Sequence, residues 1–451
     1  MTLVLPLVIA WFAAVALVGL DGRRAWVGWV AVGSLAASLA AIAVLAVSVW
    51  QEGPQEVTTG GWPRGIGITL RADALSVVFA LLSSGVLVVS LAHETLAGIR
   101  SPRLPAFILF MAVGLTGLFF TGDVFNFYVF FEISMISAYV MTGYGGEARQ
   151  LGAAFVFAVV NLLGSFLFLM SVAAIYHVTG TLEMSAVAER IADVEPNTVI
   201  LIAVTLFIAF GVKLGLFPFH FWLPTVYASV PPAIAAILSG ALANIGTYGI
   251  LRFGVDVLPR ELELGAAALI VLGTITILYG ALQAMSRRTA PEVIAYSSIG
   301  QVGYVLIALA IGGPIGYAAA VLYALLNALN KTLLFLATGL RGRLVGAAFF
   351  VGAISVAGIP PAAGFFGKLE VFHAAIGEGS IALVALIFLG GALSVVYLFQ
   401  IYQHDHWRPG AADAMRDASP VALRALTFGL AALVLGLGLW PEPILAASRE
   451  A

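Results

Sequence analysis

The chain has no cysteine, few charges and only three lysines among its 451 residues. Without cysteine there is no disulfide, no thiolate metal site and no cysteine-ligated iron–sulfur cluster. Charged residues make up 10% and apolar residues 61%. An ordinary soluble domain has roughly 25% and 45–50%, so the composition excludes that class and points to an integral membrane protein. The net charge of −2 offers no basic surface to nucleic acid. Long polar stretches are missing too. The largest connections, near 51–71, 178–196 and 404–419, have about twenty residues or fewer, leaving no soluble domain to house chemistry.

What is present is apolar sequence in membrane-length runs. A helix needs about 20 apolar residues to cross the hydrocarbon. About fourteen stretches qualify, near 2–20, 25–50, 72–92, 105–121, 123–144, 151–177, 197–222, 231–252, 264–285, 292–312, 315–339, 344–376, 380–403 and 420–440. They are continuously apolar, unlike the alternating strands of a membrane barrel, so the expected class is all-α and polytopic. The first stretch lacks a basic leader and a small-residue cleavage site, and reads as a retained helix. With the N-terminus outside, arginines in one set of connections outnumber those in the other twelve to six. The positive-inside rule then puts both termini outside.

Two spans are interrupted. Pro218 and Pro224 break GVKLGLFPFHFWLP, and Pro360 and Pro361 break AGIPPAAGFFGKLEVF. Proline removes a backbone donor, and free backbone groups at membrane depth persist only where protein or a wet cavity surrounds them. Broken helices at matching places in two halves are the mark of inverted-repeat transporters. The expected division is 1–104 with three helices, 105–252 and 253–403 with five each, and 404–451 with the last helix and tail. Each set of five has a broken fourth member that carries a lysine.

The eighteen arginines lie mainly in the connections, whereas Lys213, Lys331 and Lys368 all lie in apolar segments. Lysine, unlike arginine, can gain and lose a proton when buried. Glu132 sits mid-span with Tyr128 one turn before it and Tyr139 two turns after, and a carboxylate at that depth must be paired, protonated or hydrated. Its expected partner is Lys213, either as a permanent salt bridge or as a switchable pair that takes up and ejects protons. His220, at the first break, is either a hydrogen-bonded core residue or a relay group titrating near neutral pH. Lys331 has Asn327 four residues earlier and Asn330 beside it, amides suited to water or a neutral amine. Lys368 follows the second break and either relays protons or snorkels to the interface. Tyr296, Ser297, Ser298, Gln301 and Tyr304 could bridge lysines together with water, or simply glue helices. His93, His177, His404 and His406 read as loop or interface residues without a role. Only His220 stands convincingly at membrane depth, too few histidines for axial haem ligation, and no metal pair is spaced along a helix.

The segments TGDVFNFYVFFEIS, GVKLGLFPFHFWLP, AYSSIGQVGY and GIPPAAGFFGK resemble, in order and spacing, the antiporter-like subunits shared by Mrp-type cation/proton antiporters, respiratory complex I and membrane-bound hydrogenases. FNFYVFFEIS looks most like the D subunit of the Mrp type. The resemblance implies fourteen helices with two inverted five-helix repeats. It matches Glu132 to the family's glutamate, Lys213 to its paired lysine, Lys331 to a central lysine of some branches and Lys368 to the terminal one. It further implies a prokaryotic cell membrane, other membrane subunits as partners, protons and Na+ as cargo, and no organic cofactor. One departure stands out: Asn244 occupies a place where many members carry lysine. Asparagine takes up no proton, so the central station is expected to fall to Lys331. The implied function is proton translocation within a monovalent cation/proton antiporter, or the equivalent task in a redox-driven complex.

Overall fold

The computed structural model describes residues 2–62, 67–407 and 419–451. Arg64, Arg408 and Arg416 of the charge count lie outside the described residues. Eleven described helices are long and apolar enough to cross a membrane, and three shorter apolar ones complete fourteen.

The first three spans are α1 (Leu5–Val18), α2 (Ala25–Glu52) and α3 (Ala74–Ala97). Between α2 and α3 the polar connection forms an antiparallel hairpin of β1 (Gln55–Thr58) and β2 (Thr69–Ala72). Gly122 donates its N–H to the Thr69 carbonyl at 2.8 Å, which ties the hairpin to the bundle. Asp73 then caps α3, accepting from the Ser76 N–H at 3.0 Å.

The first set of five comprises α4 (Leu104–Phe120), α5 (Val124–Gly143), α6 (Ala148–Thr179), a broken span and α10 (Pro232–Val255). A short α7 (Met184–Ile191) follows α6, and the broken span consists of α8 (Pro196–Leu214) and α9 (Trp222–Tyr227). After α11 (Pro259–Leu264), the second set comprises α12 (Ala266–Met285), α13 (Ala290–Ile311), α14 (Gly313–Ala337), a broken span of α15 (Arg343–Ala357) and α16 (Gly364–Gly377), and α17 (Ile381–Tyr402). The chain ends in α18 (Val421–Leu439) and α19 (Glu442–Glu450). The two sets start five spans apart. Successive spans run antiparallel, so the sets cross in opposite senses, as inverted repeats do.

Both breaks start the same way. Gly215 and Gly358 follow the last helical residues with φ of 64° and 80°, a conformation in which a side chain would be strained. The freed polar groups find partners inside the protein. Trp222 Nε1 donates to the Val212 carbonyl at 3.0 Å, Phe217 N to Thr276 Oγ1 at 3.3 Å and Gly364 N to Ser355 Oγ at 2.9 Å. Satisfying these groups internally is what lets the irregular backbone stay at this depth.

Close packing depends on small residues. A Cβ added to Gly273 of α12 would lie 2.9 Å from the Gly303 carbonyl of α13. Membrane helices lacking a hydrophobic drive to associate rely on such close approach.

Candidate functional site

Lys213 lies in the last turn of α8 and is only 6% exposed. Its ammonium donates to the Asn161 carbonyl of α6 at 3.2 Å and stands 4.1 Å from the centre of the Phe131 ring on α5. Glu132 is the next residue after Phe131 on α5. Its Oε1 is buried without a hydrogen-bond partner. The expected contact pair is therefore near but unmade. The Phe131 ring covers the ammonium, and a backbone carbonyl accepts its hydrogen bond. Beside Lys213 a cavity of about 10 Å³ is lined by Asn161, Trp222, Tyr227, Leu238 and Ala243, among others, room for about one water.

His220 occupies the turn inside the first break and is 8% exposed. Its Nδ1 has no partner, and its ring centre lies 4.3 Å from that of Tyr279 on α12. Asn244 is buried on α10, where it donates to the Gly240 carbonyl at 2.8 Å. The helix winds as a π-helix at Leu238–Leu242 and Ile250–Val255, on either side of it. Such widened turns recur at functional sites.

In the second half Lys331 of α14 is fully buried. Its ammonium donates to Ser297 Oγ at 2.6 Å, not to Asn327 or Asn330, whose carbonyl oxygens are both without partners. Ser297 Oγ is 2.9 Å from Tyr397 OH, which in turn donates to Ser394 Oγ at 3.1 Å. Gln301 Nε2 donates to Tyr397 OH at 3.3 Å, and Tyr323 OH donates to Gln301 Oε1. The Tyr323 ring stacks on Tyr304 with centres 5.0 Å apart, and the Lys368 ammonium stands 5.0 Å from the Tyr304 ring. Lys368 does not snorkel outward. It is buried and donates at 3.0 Å to the Ala357 carbonyl, the free end of α15. A second cavity of about 10 Å³ touches Gln301, Tyr323, Asn327 and Asn330.

Ser298 is a correction among the supporting residues. Its hydroxyl folds back onto the Ile294 carbonyl at 2.8 Å, and its neighbour Ser297 meets the lysine instead. His93 is another. It is 4% exposed within α3 rather than at an interface, and its ring approaches the Leu336 backbone without a hydrogen bond of normal geometry at either nitrogen. Sequence reading missed Asn161, the lone amide of its apolar run, together with Ser394 and Tyr397. The last two share a face of α17 with Gly390 at helical spacing, a signal that was available. Among the described residues no group of three or more His, Asp or Glu side chains could hold a metal.

A separate ion cluster braces one end of the bundle. Arg252 of α10 grips Asp73 with two hydrogen bonds of 2.6 and 2.7 Å and reaches Asp256 at 2.7 Å. Burial pushes the Asp73 carboxyl up, but the Arg252 charge and hydrogen bonds from Arg252 and Ser76 outweigh it and hold it well below the usual carboxylate range. A depressed carboxyl stabilises the fold above its unfolded value of about 4 and loses that contribution only as pH falls through the lower folded value. We therefore expect Asp73→Ala to cost about 3 kcal/mol, at the low end for a broken buried pair because Asp256 still holds Arg252. Thermal unfolding should find the deficit unchanged between pH 5 and 8.

With this geometry in view, comparison with known proteins is decisive. Residues 121–343 and 340–394 match the family described as NADH:quinone oxidoreductase/Mrp antiporter, transmembrane. The chain belongs to that family. It is 32% identical to the D subunit of the Na(+)/H(+) antiporter of Alkalihalophilus pseudofirmus, over 95% of this chain and 91% of the relative. Its fold resembles a chain of the Mrp complex from a Dietzia species with a TM-score of 0.89 at 26% identity, covering 100% of this chain and 96% of that one. A chain of the membrane-bound sulfane sulfur reductase, an archaeal respiratory membrane complex, matches with a TM-score of 0.89 at 28% identity and the same coverage. The protein is thus a multi-pass membrane subunit of the antiporter type, similar to the D subunits of Mrp antiporters. The family's inverted-repeat fold is the frame that brings each lysine to a helix break or to the core between them.

Proposed function

We propose that this chain is the proton-translocating subunit of a multisubunit Na+/H+ antiporter in a prokaryotic cell membrane, with both termini outside and other membrane subunits as partners. The organisation supporting this reading is three leading helices over 1–104, repeats over 105–252 and 253–403, and a closing helix over 404–451. In the first repeat Glu132 modulates Lys213. Their unmade contact suits a switch: approach of the carboxylate favours the ammonium, and withdrawal lets burial drive the proton off. His220 and water pass the proton on to Lys331, and Lys368 delivers it to the far side. Tyr128, Asn244 and Asn327 orient water and do not themselves carry the charge.

The observation that carries the reading is the hydrogen-bonded chain from Lys331 through Ser297 and Tyr397 to Ser394, Gln301 and Tyr323. Hydroxyls both donate and accept, so they can hand a proton along. The Gln301 amide cannot readily do so and serves to align its neighbours, while one water beside Tyr323 would supply the remaining hydroxyl before Lys368. Tyr397→Phe keeps the ring and removes the hydroxyl. Sodium-driven proton flux in vesicles holding the reconstituted complex should fall about tenfold, the equivalent of about 1.4 kcal/mol of lost hydrogen bonding, with assembly intact. Unchanged flux would remove this chain from the pathway.

A redox-driven complex is the second reading, favoured by the equal fold similarity to the archaeal respiratory complex. The protein composition of the purified native assembly separates the two. Iron–sulfur partners would decide for the redox form.

A further inference from the structure

A cavity of about 620 Å³ is bordered by the exposed side chains of Arg288, Arg341, His404 and Asp405, and its lining also includes Tyr227 and Phe335. Tyr227 lines the Lys213 cavity as well, so this side chain borders both spaces. Phe335 lies one helical turn beyond Lys331 on α14. The two rings meet edge to face, with centres 5.8 Å apart and planes at 88°. Both are buried, Tyr227 at 2% and Phe335 at 0% exposure. Tyr227 OH donates at 3.1 Å to the carbonyl of Leu238, the first residue of the π-helical turn and itself part of the Lys213 cavity wall.

We propose that this cavity is a water-filled inlet shared by both repeats, and that Tyr227 and Phe335 form an aromatic gate between it and the lysines. The idea rests on the reading that Lys213 and Lys331 handle protons. Swinging the Tyr227 ring breaks a single hydrogen bond and joins the inlet to the water site beside Lys213. Displacing Phe335 opens the way towards Lys331. In the closed arrangement the two buried rings fill the wall, which keeps protons from leaking while the far side is open. The hydroxyl anchor on the π-helical turn couples the gate to α10, the helix that bears Asn244.

The natural absence of cysteine makes the gate directly testable. In the assembled complex in sealed vesicles, Ala243→Cys supplies this chain's only thiol, in the wall of the Lys213 cavity. Its reaction with a membrane-impermeant cationic methanethiosulfonate is followed by mass spectrometry of this chain. The thiol should react slowly when Tyr227 is intact or replaced in Tyr227→Phe. In Tyr227→Ala it should react at least about tenfold faster, and only from the face bearing Arg288 and Arg341. A control thiol in Val356→Cys, in the second-half cavity wall, should keep its rate. If Tyr227→Ala does not assemble, Tyr227→Ser serves as the opening variant. Unchanged labelling of Ala243→Cys in the opened variants overturns the gate, as does equal acceleration from both faces or at Val356→Cys. Labelling reads water access and not transport, so its failure is distinguishable from a failure of the proton-carrier reading.

Discussion

Lys213→Ala is expected to reduce sodium-driven proton flux by about a hundredfold or more, the scale of losing an acid–base group, and to abolish growth in sodium at alkaline pH. The reason lies in what surrounds the ammonium. At 6% exposure, with one carbonyl at 3.2 Å and an aromatic face at 4.1 Å, it has no contact carboxylate. A charge held so loosely can be surrendered when the nearby carboxylate moves away. Arginine in the same place stays protonated at all accessible pH, so Lys213→Arg should preserve positive charge and still fail. Glu132→Gln removes the modulator and leaves the carrier, and should slow flux less than Lys213→Ala does. Flux in Lys213→Ala above half the native rate, in complexes of normal composition, would leave the lysine a structural role only.

How far the sequence predicted this site depends on which residues are considered. The lysines announced themselves by being in the wrong place for a cation, and the breaks by proline beside glycine. Both signals are local, and both survived into the structure at Gly215 and Gly358. The hairpin over Gln55–Thr58 and Thr69–Ala72 was hidden because a polar connection of that length carries no apolar alternation to mark a strand. Partner choice was the less legible part. Lys213 bonds a backbone carbonyl of α6, and no sequence motif encodes which carbonyl will face which helix. Lys331 meets Ser297 and not the adjacent amides because α13 and α14 pack with that serine turned inward. Ser394 and Tyr397 stand alone among the valines and leucines of α17, although glycines at Gly390 and Gly391 marked that helix for close approach. His93 was misread because a histidine near a helix end resembles an interface anchor.

The two halves place similar chemistry differently. In each, a lysine binds a carbonyl near a helix break, and a water-sized cavity lies nearby with an asparagine in its wall. Only the second half adds a fully buried third lysine with a hydroxyl chain. Asn244 fits this asymmetry. Its amide donates to the Gly240 carbonyl and takes up no proton, which on the proposed pathway leaves Lys331 as the central lysine.

From that follows the second large effect. Lys331→Met should reduce flux to the background of protein-free vesicles while leaving the fold as stable or more so, since replacing a buried charge with an apolar chain of similar volume is often neutral or stabilising by about 1–4 kcal/mol. A structural lysine would behave in the opposite way, losing stability first and transport only as a consequence. Ser297→Ala, which removes the hydrogen-bond acceptor but keeps the amine, should produce an intermediate loss. Asn244→Lys added to Lys331→Met tests the relocation itself. A lysine on α10 close to the Gly240 carbonyl lies beside the same helix junction, where Gly240 meets Thr332 of α14, and should restore part of the flux. Native-rate transport by Lys331→Met, with sharply increased transport in Asn244→Lys alone, would mean that the centre of the pathway runs through α10 and not through α14.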